Sequence, residues 1–563
     1  MPKTRQQRPA RKKDRRIRAR YLFVCGGVLS GVGKGTTVAA LGRLLLSKGF
    51  RVTAMKIDPY LNVDAGTMNP TEHGEVFVTG DGLETDQDLG NYERFLDLTT
   101  SRLNYMTTGQ VYLEVIKRER NLQYNGRCVE TVPHIPEEVI RRMHALARSS
   151  RAEIVIVEIG GTVGEYQNLV YLEAARMLKL RNPDEVQFLM VSYMPIPETL
   201  GEMKTKPTQH AVQRLNSAGI QPDFLICRGA EPLDKRRKEK ISLMCTIRPD
   251  HVVSDPDAKS VYEVPLIFDR ERLAEKLLAG FQLQPRQRKL ADWKYLVRST
   301  QTPTKTLRIA MVGKYFASGA FTFADSYVSV IEAIKHAAWK AGYRPENTWL
   351  DAERFEHDPQ SLKELDSYDG IIVPGGFGSR GTDGLLATIR YARQHSIPYF
   401  GLCYGMQLAV VEFCRSVLRL KNAHTTEVDT ATEHPVIDIM REQKEVLRNL
   451  QFGGTMRLGN YRCALRPGTI AAAAYHARSV TERHRHRYEL NNAYVKRMER
   501  EGMIVSGRNP RTNLAEIIEL RGHPFFIGVQ FHPEFLSRPL QPHPLFSAFI
   551  RECNVRHELK KRP

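Results

Sequence analysis

The string Gly401-Leu402-Cys403-Tyr404-Gly405 places a cysteine between glycines two positions to either side, and Phe531-His532-Pro533-Glu534 follows much later in the chain. Such a turn reads as a nucleophile elbow, because glycine lets a strand bend sharply into a helix and lift the thiol clear of its neighbours. A histidine can take the thiol proton, and a glutamate two residues on can orient that histidine. Cys403, His532 and Glu534 are therefore a candidate catalytic set. The remaining cysteines, at 25, 128, 227, 245, 414, 463 and 553, have no such setting and read as inert thiols.

A second chemistry lies near the start of the chain. Gly26-Gly27-Val28-Leu29-Ser30-Gly31-Val32-Gly33-Lys34-Gly35-Thr36 follows an apolar run and opens a helical pattern. Backbone N–H groups at a helix start can hold phosphate oxygens, with the lysine as a point charge. The string departs from a standard P-loop in its glycine spacing and in carrying Gly35 where Ser or Thr usually follows the lysine. Asp81-Gly82-Leu83-Glu84-Thr85-Asp86-Gln87-Asp88 is dense in carboxylates, and Glu158 ends a very apolar run just before Gly160-Gly161-Thr162. In doubly wound sheets the carboxyl ends of the strands are where ligands bind, and a carboxylate there can hold the Mg²⁺ that accompanies a triphosphate. Lys204, Thr205, Lys206, Pro207, Thr208 and Gln209 offer two lysines, two hydroxyls and an amide, suited to a phosphate or a base edge. A thiol hydrolase joined to a nucleotide site suggests that one centre makes a reagent for the other.

The elements that must position these residues are legible. The chain has 563 residues, too many for one core, and 42% apolar content marks a globular protein. Short apolar runs at 21–25, 52–57, 153–157 and 223–227 alternate with helical stretches at 39–48 and 137–147, which predicts a parallel sheet covered on both faces. Residues 286–306 are polar with little periodicity and read as a linker between a first domain at 21–285 and a second α/β domain at 307–563. No apolar run is long enough to span a membrane. The absence of any Cys-x-x-Cys or disulfide-framework spacing predicts a reduced, cytoplasmic protein.

The net charge of +20 is concentrated at the start, where residues 1–20 carry Lys3, Arg5, Arg8, Arg11, Lys12, Lys13, Arg15, Arg16, Arg18 and Arg20 against Asp14. This block reads as a self-repelling, disordered tail that solubilises the protein or touches a polyanion such as nucleic acid. The short apolar run after it breaks at once into glycines and a lysine, unlike a signal peptide.

Taken in order, these strings resemble the CTP synthase family over nearly the whole chain after the tail. The resemblance is carried by Lys56-Ile57-Asp58-Pro59-Tyr60-Leu61-Asn62-Val63-Asp64, His73-Gly74-Glu75-Val76-Phe77-Val78 and Val157-Glu158-Ile159-Gly160-Gly161-Thr162-Val163-Gly164. In the second half it rests on Gly453-Gly454-Thr455-Met456-Arg457-Leu458-Gly459 and Glu482-Arg483-His484-Arg485-His486-Arg487-Tyr488-Glu489. It implies two doubly wound α/β domains, a P-loop-like amidoligase followed by a class I glutamine amidotransferase. In that family ATP phosphorylates O4 of UTP, and ammonia released from glutamine displaces the phosphate at C4 to give CTP. By motif position, Ser30, Gly31, Val32, Gly33, Lys34, Gly35 and Thr36 would hold triphosphates, with Lys56 adding positive charge. Asp88 and Glu158 would bind Mg²⁺, while residues 204–209 with Glu165, Gln167 and Lys240 would contact nucleotide. Cys403 would be the nucleophile, and Gly376 in Pro374-Gly375-Gly376-Phe377-Gly378 would supply an oxyanion N–H. Tyr404, Gly405, Met406, Gln407, Glu427 and Arg487 would surround glutamine. The family also implies a homotetramer, activation by GTP and inhibition by CTP.

Departures from the family pattern cluster. Glu165-Tyr166-Gln167 stands where Asp-Ile-Glu is usual, Glu130 where a glutamine is usual, Pro195-Ile196-Pro197-Glu198-Thr199-Leu200-Gly201 where Pro-Tyr-Met-Ala-Ala-Ser-Gly is common, and Tyr404 where leucine is common. Exchanges between Glu and Gln change charge and donor capacity, and a pocket that hydrogen-bonds its ligand discriminates strongly. The acceptor is therefore expected to be UTP or a modified pyrimidine nucleotide. A drifted structural or regulatory copy is the non-enzymatic alternative, opposed by the intact Lys34, Asp88, Glu158, Cys403 and His532.

Overall fold

The computed structural model describes residues 19–68, 74–303, 305–314, 324–439 and 456–561. Most of the basic tail, His73 and Gly453-Gly454-Thr455 lie outside the described residues.

Seven strands of the first half are β1 (Arg20–Gly27), β2 (Val52–Asp58), β3 (Tyr105–Thr107), β4 (Ile154–Ile159), β5 (Val186–Tyr193), β6 (Phe224–Gly229) and β7 (Val252–Pro256). They form one sheet in the order β3-β2-β4-β1-β5-β6-β7, with every pairing parallel. Side chains of β1 divide by parity between two buried clusters: Leu22 and Val24 on one face, Tyr21, Phe23 and Cys25 on the other. Helices on both faces explain why these strands read as continuous apolar runs rather than alternating ones. All the loops that matter leave the carboxyl edge: the phosphate loop after β1, Asp58 at the end of β2, Gly160 after β4 and Arg228 at the end of β6. Helix α1 (Lys34–Ser47) starts at that edge, and α2 (Asp88–Leu96) packs against it, Leu96 meeting Gly42.

The stretch expected as an aperiodic linker carries a helix, α3 (Ala291–Gln301). Its Trp293, Leu296 and Val297 are buried in the core cluster of the first domain, and the Trp293 indole donates to the Tyr262 carbonyl at 2.9 Å. The apolar stripe is three residues at one helical spacing, hidden among polar neighbours, which is why composition alone misses it.

In the second half, among the described residues, a nine-stranded sheet combines a parallel part with an antiparallel extension. The parallel part holds β8 (Lys305–Gly313), β9 (Tyr343–Asp351), β10 (Gly370–Val373), β11 (Tyr399–Leu402) and β16 (Phe526–Val529). The extension runs through β15 (Ala515–Leu520), β14 (Met503–Arg508), β12 (Arg457–Leu465) and β13 (Ser479–His486). Strand β11 lies between β10 and β16 and delivers Cys403 at its carboxyl end.

The halves interlock through buried charge. Glu93 of α2 receives Arg538 at 2.6 Å and Arg483 of β13 at 3.3 Å, and Arg485 reaches Glu84 at 2.8 Å. Removing one partner of a buried pair leaves an uncompensated charge, so such contacts fix geometry more than they add stability.

Candidate active sites

Cys403 is the residue before helix α5 (Tyr404–Ser416), with φ 48° and ψ −95°. The strain thus sits on the cysteine itself, whereas the flanking glycines supply room. A Cβ on Gly405 would lie 2.3 Å from the Val373 carbonyl oxygen, and one on Gly401 would lie 2.7 Å from the Tyr399 hydroxyl and 2.8 Å from Gly405 backbone. Gly405→Ala is accordingly expected to destabilise by about 1–3 kcal/mol or to displace the elbow, read as a lower melting temperature together with loss of glutamine hydrolysis.

Opposite the thiol, His532 Nδ1 and Glu534 Oε1 are 2.7 Å apart. His532 Nε2 is buried, and the ring's side-chain interaction with Cys403 places it to exchange the thiol proton. Burial alone would push the imidazole down, but the Glu534 carboxylate and Cys403 outweigh it and raise the histidine to about 10. This upward shift favours the imidazolium, the form that gives a proton to a leaving amine. Gln530 Nε2 and the Arg485 carbonyl approach Cys403 Sγ at 3.7 and 3.8 Å.

The loop Pro374–Gly378 lies over this pair. A Cβ on Gly375 would stand 2.9 Å from His532 Cε1, and one on Gly376 would stand 3.8 Å from the Tyr404 ring. The first N–H groups of α5 have no intrahelical acceptor, so they and Gly376 can face a developing oxyanion. Gly378 is clamped from both sides: its N–H donates to Glu427 at 3.0 Å, and its carbonyl accepts from Lys314 at 2.6 Å and from Tyr404 at 2.9 Å. Burial lowers Lys314 to about 8 against the pull of Glu427 and Glu356. Burial likewise raises Glu427, with Lys314 and Arg487 opposing it. The Met406 side chain is wholly buried, so only its backbone can face a ligand, and Gln407 Nε2 donates to the Tyr488 carbonyl at 2.9 Å. Of the residues alternating along β13, His484 and His486 pair with each other at 2.9 Å inside the core.

At the other centre the loop after β1 folds against carboxylates. Lys34 is buried and donates to the Gly161 carbonyl at 3.0 Å. A Cβ on Gly35 would fall 1.9 Å from Asp88 Oδ1, which explains why glycine replaces the usual hydroxyl residue here. Lys56 donates to Glu158 at 2.8 Å and to Asp88 at 2.5 Å, and Tyr92 donates to the other Glu158 oxygen. Tyr60 holds Asp58 at 2.8 Å. Burial raises Asp58 and Glu158, and takes Asp86 to about 7. Burial works against Asp88 too, but Lys56 beside it holds its carboxyl below the usual range. Burial opposes charge on Lys56 as well, yet Asp88, Glu158, Asp86 and Asp58 hold it firmly as the ammonium.

Four acids thus surround two lysines, a negative excess that a divalent cation would neutralise. No three acid, histidine or cysteine groups among the described residues converge on one point. The two carboxylates beside the phosphate loop, Asp88 and Glu158, are a donor set of the kind that holds Mg²⁺, usually one or two carboxylates with substrate phosphates completing the shell.

Sequence reasoning overlooked Arg228, which reaches Asp255 at 3.4 Å, Asp257 at 3.3 Å and the Val32 carbonyl at 3.4 Å. A Cβ on Gly33 would meet this guanidinium, so Arg228 lies directly on the phosphate loop. Its one available signal was position, a cation just past an apolar run at the carboxyl edge. Ser30 and Gly31 are exposed, Val32 is buried, and Gly33 and Thr36 are half-buried at the helix start. Farther along the edge, Thr205, Thr208 and Gln209 are buried, with Thr208 on Ser192 at 2.8 Å and Gln209 on Thr205 at 3.1 Å. Pro207 is half-buried, and Lys206 and Lys240 are exposed. Lys204 is half-buried and pairs with Glu202 at 2.8 Å. Gln167 donates to Glu165 at 3.0 Å, a bond that two carboxylates in these places would not make.

A thiol elbow with its histidine on one doubly wound domain, and a phosphate loop among carboxylates on another, define a glutamine amidotransferase joined to a nucleotide-dependent ligase. Residues 20–283 match the family described as CTP synthase N-terminus, and residues 322–552 match glutamine amidotransferase class-I. The CTP synthase of Symbiobacterium thermophilum is 48% identical over 538 residues, covering 95% of this chain and 98% of its own. That of Rubrobacter xylanophilus is 50% identical over 538 residues, covering 95% of each chain. That of Sulfolobus acidocaldarius is 47% identical over 531 residues, covering 94% of this chain and 99% of its own. The chain belongs to the CTP synthase family.

Proposed function

We propose that this chain converts UTP to CTP, using ATP and the amide nitrogen of glutamine. The carrying observation is that both reaction centres are intact on one chain, Cys403 facing the His532–Glu534 pair and Lys34 lying among Asp88, Lys56 and Glu158. The Cys403 sulfur attacks the glutamine side-chain carbonyl, and the oxygen's charge is met by the N–H groups of Gly376 and Tyr404. His532 protonates the departing ammonia, and water then hydrolyses the thioester, releasing glutamate. Glu427 and Arg487 hold the amino-acid end of glutamine, with residues 404–407 forming the adjoining wall.

In the ligase domain, the loop 30–36, Lys34 and Arg228 hold and neutralise triphosphate oxygens. Asp88 and Glu158 would hold Mg²⁺, which would offset phosphate charge during transfer. O4 of UTP takes the γ-phosphoryl group of ATP, and ammonia displaces that phosphate at C4. Residues 204–209, Glu165, Gln167 and Lys240 surround the pyrimidine nucleotide. Glutamine labelled with ¹⁵N in its amide, supplied with ATP, UTP and Mg²⁺, is expected to give CTP labelled in its exocyclic amine. Glutamate release with no label in any nucleotide overturns this reading.

The Gln167–Glu165 bond favours a second reading for the acceptor, since it alters the charge and donors offered to a nucleotide. Product from a modified uridine nucleotide, with none from UTP, would select it. A homotetramer is supported by Leu113, Ile116, Leu122, Tyr166 and Leu169, large apolar side chains exposed in the first domain. Eight free cysteines, seven of them buried, suit a reduced cytoplasmic setting. GTP activation is taken over from the family, and the basic tail is read as a solubilising segment.

A further inference from the structure

Helix α4 of the glutaminase half (Val328–Lys340) begins without a side-chain cap of its own, since Tyr327 at its N-cap makes no capping bond. A carboxylate from the ligase half takes that place. Glu75 accepts the Ser329 N–H at 3.0 Å and the Ser329 hydroxyl at 2.5 Å, while Arg94 of α2 donates to the same hydroxyl at 3.2 Å. An acid at a helix N-terminus satisfies orphan N–H groups and complements the helix dipole. This one is 7% exposed and comes from the far side of the domain boundary.

The capped end leads directly to the glutaminase centre. Tyr327 donates through its hydroxyl to the Gly375 carbonyl at 3.2 Å. Gly375 lies so close to His532 that a Cβ on it would stand 2.9 Å from the ring, and the next residue is Gly376. The same ligase segment touches the triad by a second route. Phe77 packs on Phe535 at 4.9 Å, and Phe535 stacks on His532 at 5.2 Å. Val78 accepts from Arg483 through its carbonyl.

We propose that Glu75 is a positioning residue for the glutaminase, a carboxylate of the ligase domain that caps the helix at 328–340 and so sets, through Tyr327, the donor loop over Cys403. The proposal rests on the reading of Gly376 and Cys403 given above. Glu75 touches no reacting atom. Burial raises it to about 7, against the hold of Ser329 and Arg94. The groups facing it are Ser329 from the capped helix, Arg94 from α2 and Glu534 from the turn after β16. The cap is therefore charged above about pH 7 and neutral below it, and the charged form is the stronger acceptor.

Glu75→Gln in the full chain tests this. The glutamine-dependent kcat is expected to fall about tenfold, the usual scale for losing one charge-assisted hydrogen bond. KM for glutamine should change less than about threefold, and CTP formation from ammonia should stay within about twofold. The acid limb near pH 7 in the glutamine-dependent kcat should also disappear. Unchanged glutamine turnover with the limb retained overturns the proposal. If ammonia-dependent activity falls as well, Ser329→Ala decides, because it deletes the hydroxyl's contacts with Glu75 and Arg94 while leaving the carboxylate and its bond to the Ser329 N–H in place. Glutamine turnover should then drop severalfold with ammonia use intact, and no drop overturns the proposal. Absence of glutamate release in the unaltered protein would overturn both this inference and the thiol-hydrolase reading, whereas unchanged turnover in Glu75→Gln sinks this inference alone.

Discussion

Replacing Cys403 with alanine is expected to lower glutamine-dependent CTP formation by at least about a thousandfold, while ammonia-dependent formation persists within about twofold. A thousandfold loss corresponds to about 4 kcal/mol of transition-state stabilisation. No other group can substitute for the sulfur. The groups beside Cys403 Sγ are the Gln530 amide, the Arg485 carbonyl and the His532 ring, and Glu534 biases that ring toward its protonated, non-nucleophilic form, so none of them opens an amide in the sulfur's place. The substitution adds no strain, because alanine needs no more room than cysteine and the glycines that fit the elbow stay in place. The measurement is initial CTP production with glutamine and then with ammonium chloride as nitrogen source. Persistence of both rates would show that a different group opens the amide. Loss of both would show that the elbow supports the ligase domain rather than feeding it.

The contrast between the nitrogen sources matters because the two centres are separate in chemistry but joined in structure. The same strand β13 that brings the Arg485 carbonyl to Cys403 sends the Arg485 side chain to Glu84 and Arg483 to Glu93 in the ligase domain. Alternation along a strand produces this division: residues of one parity face across the boundary, and His484 and His486 of the other parity turn into the glutaminase core. Sequence alone gives the alternation but not which face is the boundary. It therefore left the arginines at 483 and 485 without a role and fixed attention on Arg487.

The same limit applies elsewhere. Cys403, His532 and Glu534 were legible because their chemistry is local, a turn and a short His-x-Glu string. The parallel sheet was legible because strands covered on both faces read as unbroken apolar runs. Helix α3 was not, since its Trp293-Leu296-Val297 stripe is brief and its burial comes from contacts far along the chain. Arg228 and Lys314 were missed for the same reason. Each is a single cation whose meaning lies in a distant loop, Val32 in one case and Gly378 in the other. Gly35 shows the converse. In sequence it looked like a defect of the phosphate loop, and in space it is the gap that Asp88 fills.

Asp88→Asn is expected to cut CTP formation at least about a thousandfold with either nitrogen source, the scale seen when a group stabilising charge in transfer is lost, while glutamate release from glutamine continues. Asparagine keeps the shape that fits against Gly35, so the loop need not move. What changes is charge. Asp88 is the carboxylate that Lys56 holds below the usual range, and it therefore remains ionised as the pH falls, when Asp86 and Glu158, both raised by burial, take up protons. Removing it leaves Glu158 as the one carboxylate hydrogen-bonded to Lys56, with Asp58 and Asp86 acting at longer range, and shrinks the negative excess that would attract a divalent cation. The variant should accordingly need more Mg²⁺ for any residual rate, and raising Mg²⁺ should recover part of it. Measuring CTP and glutamate in the same reactions separates the possibilities. CTP formation within about tenfold of the unaltered protein would remove Asp88 from the phosphoryl-transfer centre. Loss of CTP together with glutamate would mean that this carboxylate governs the thiol centre across the boundary, and the assignment of separate centres would fail with it.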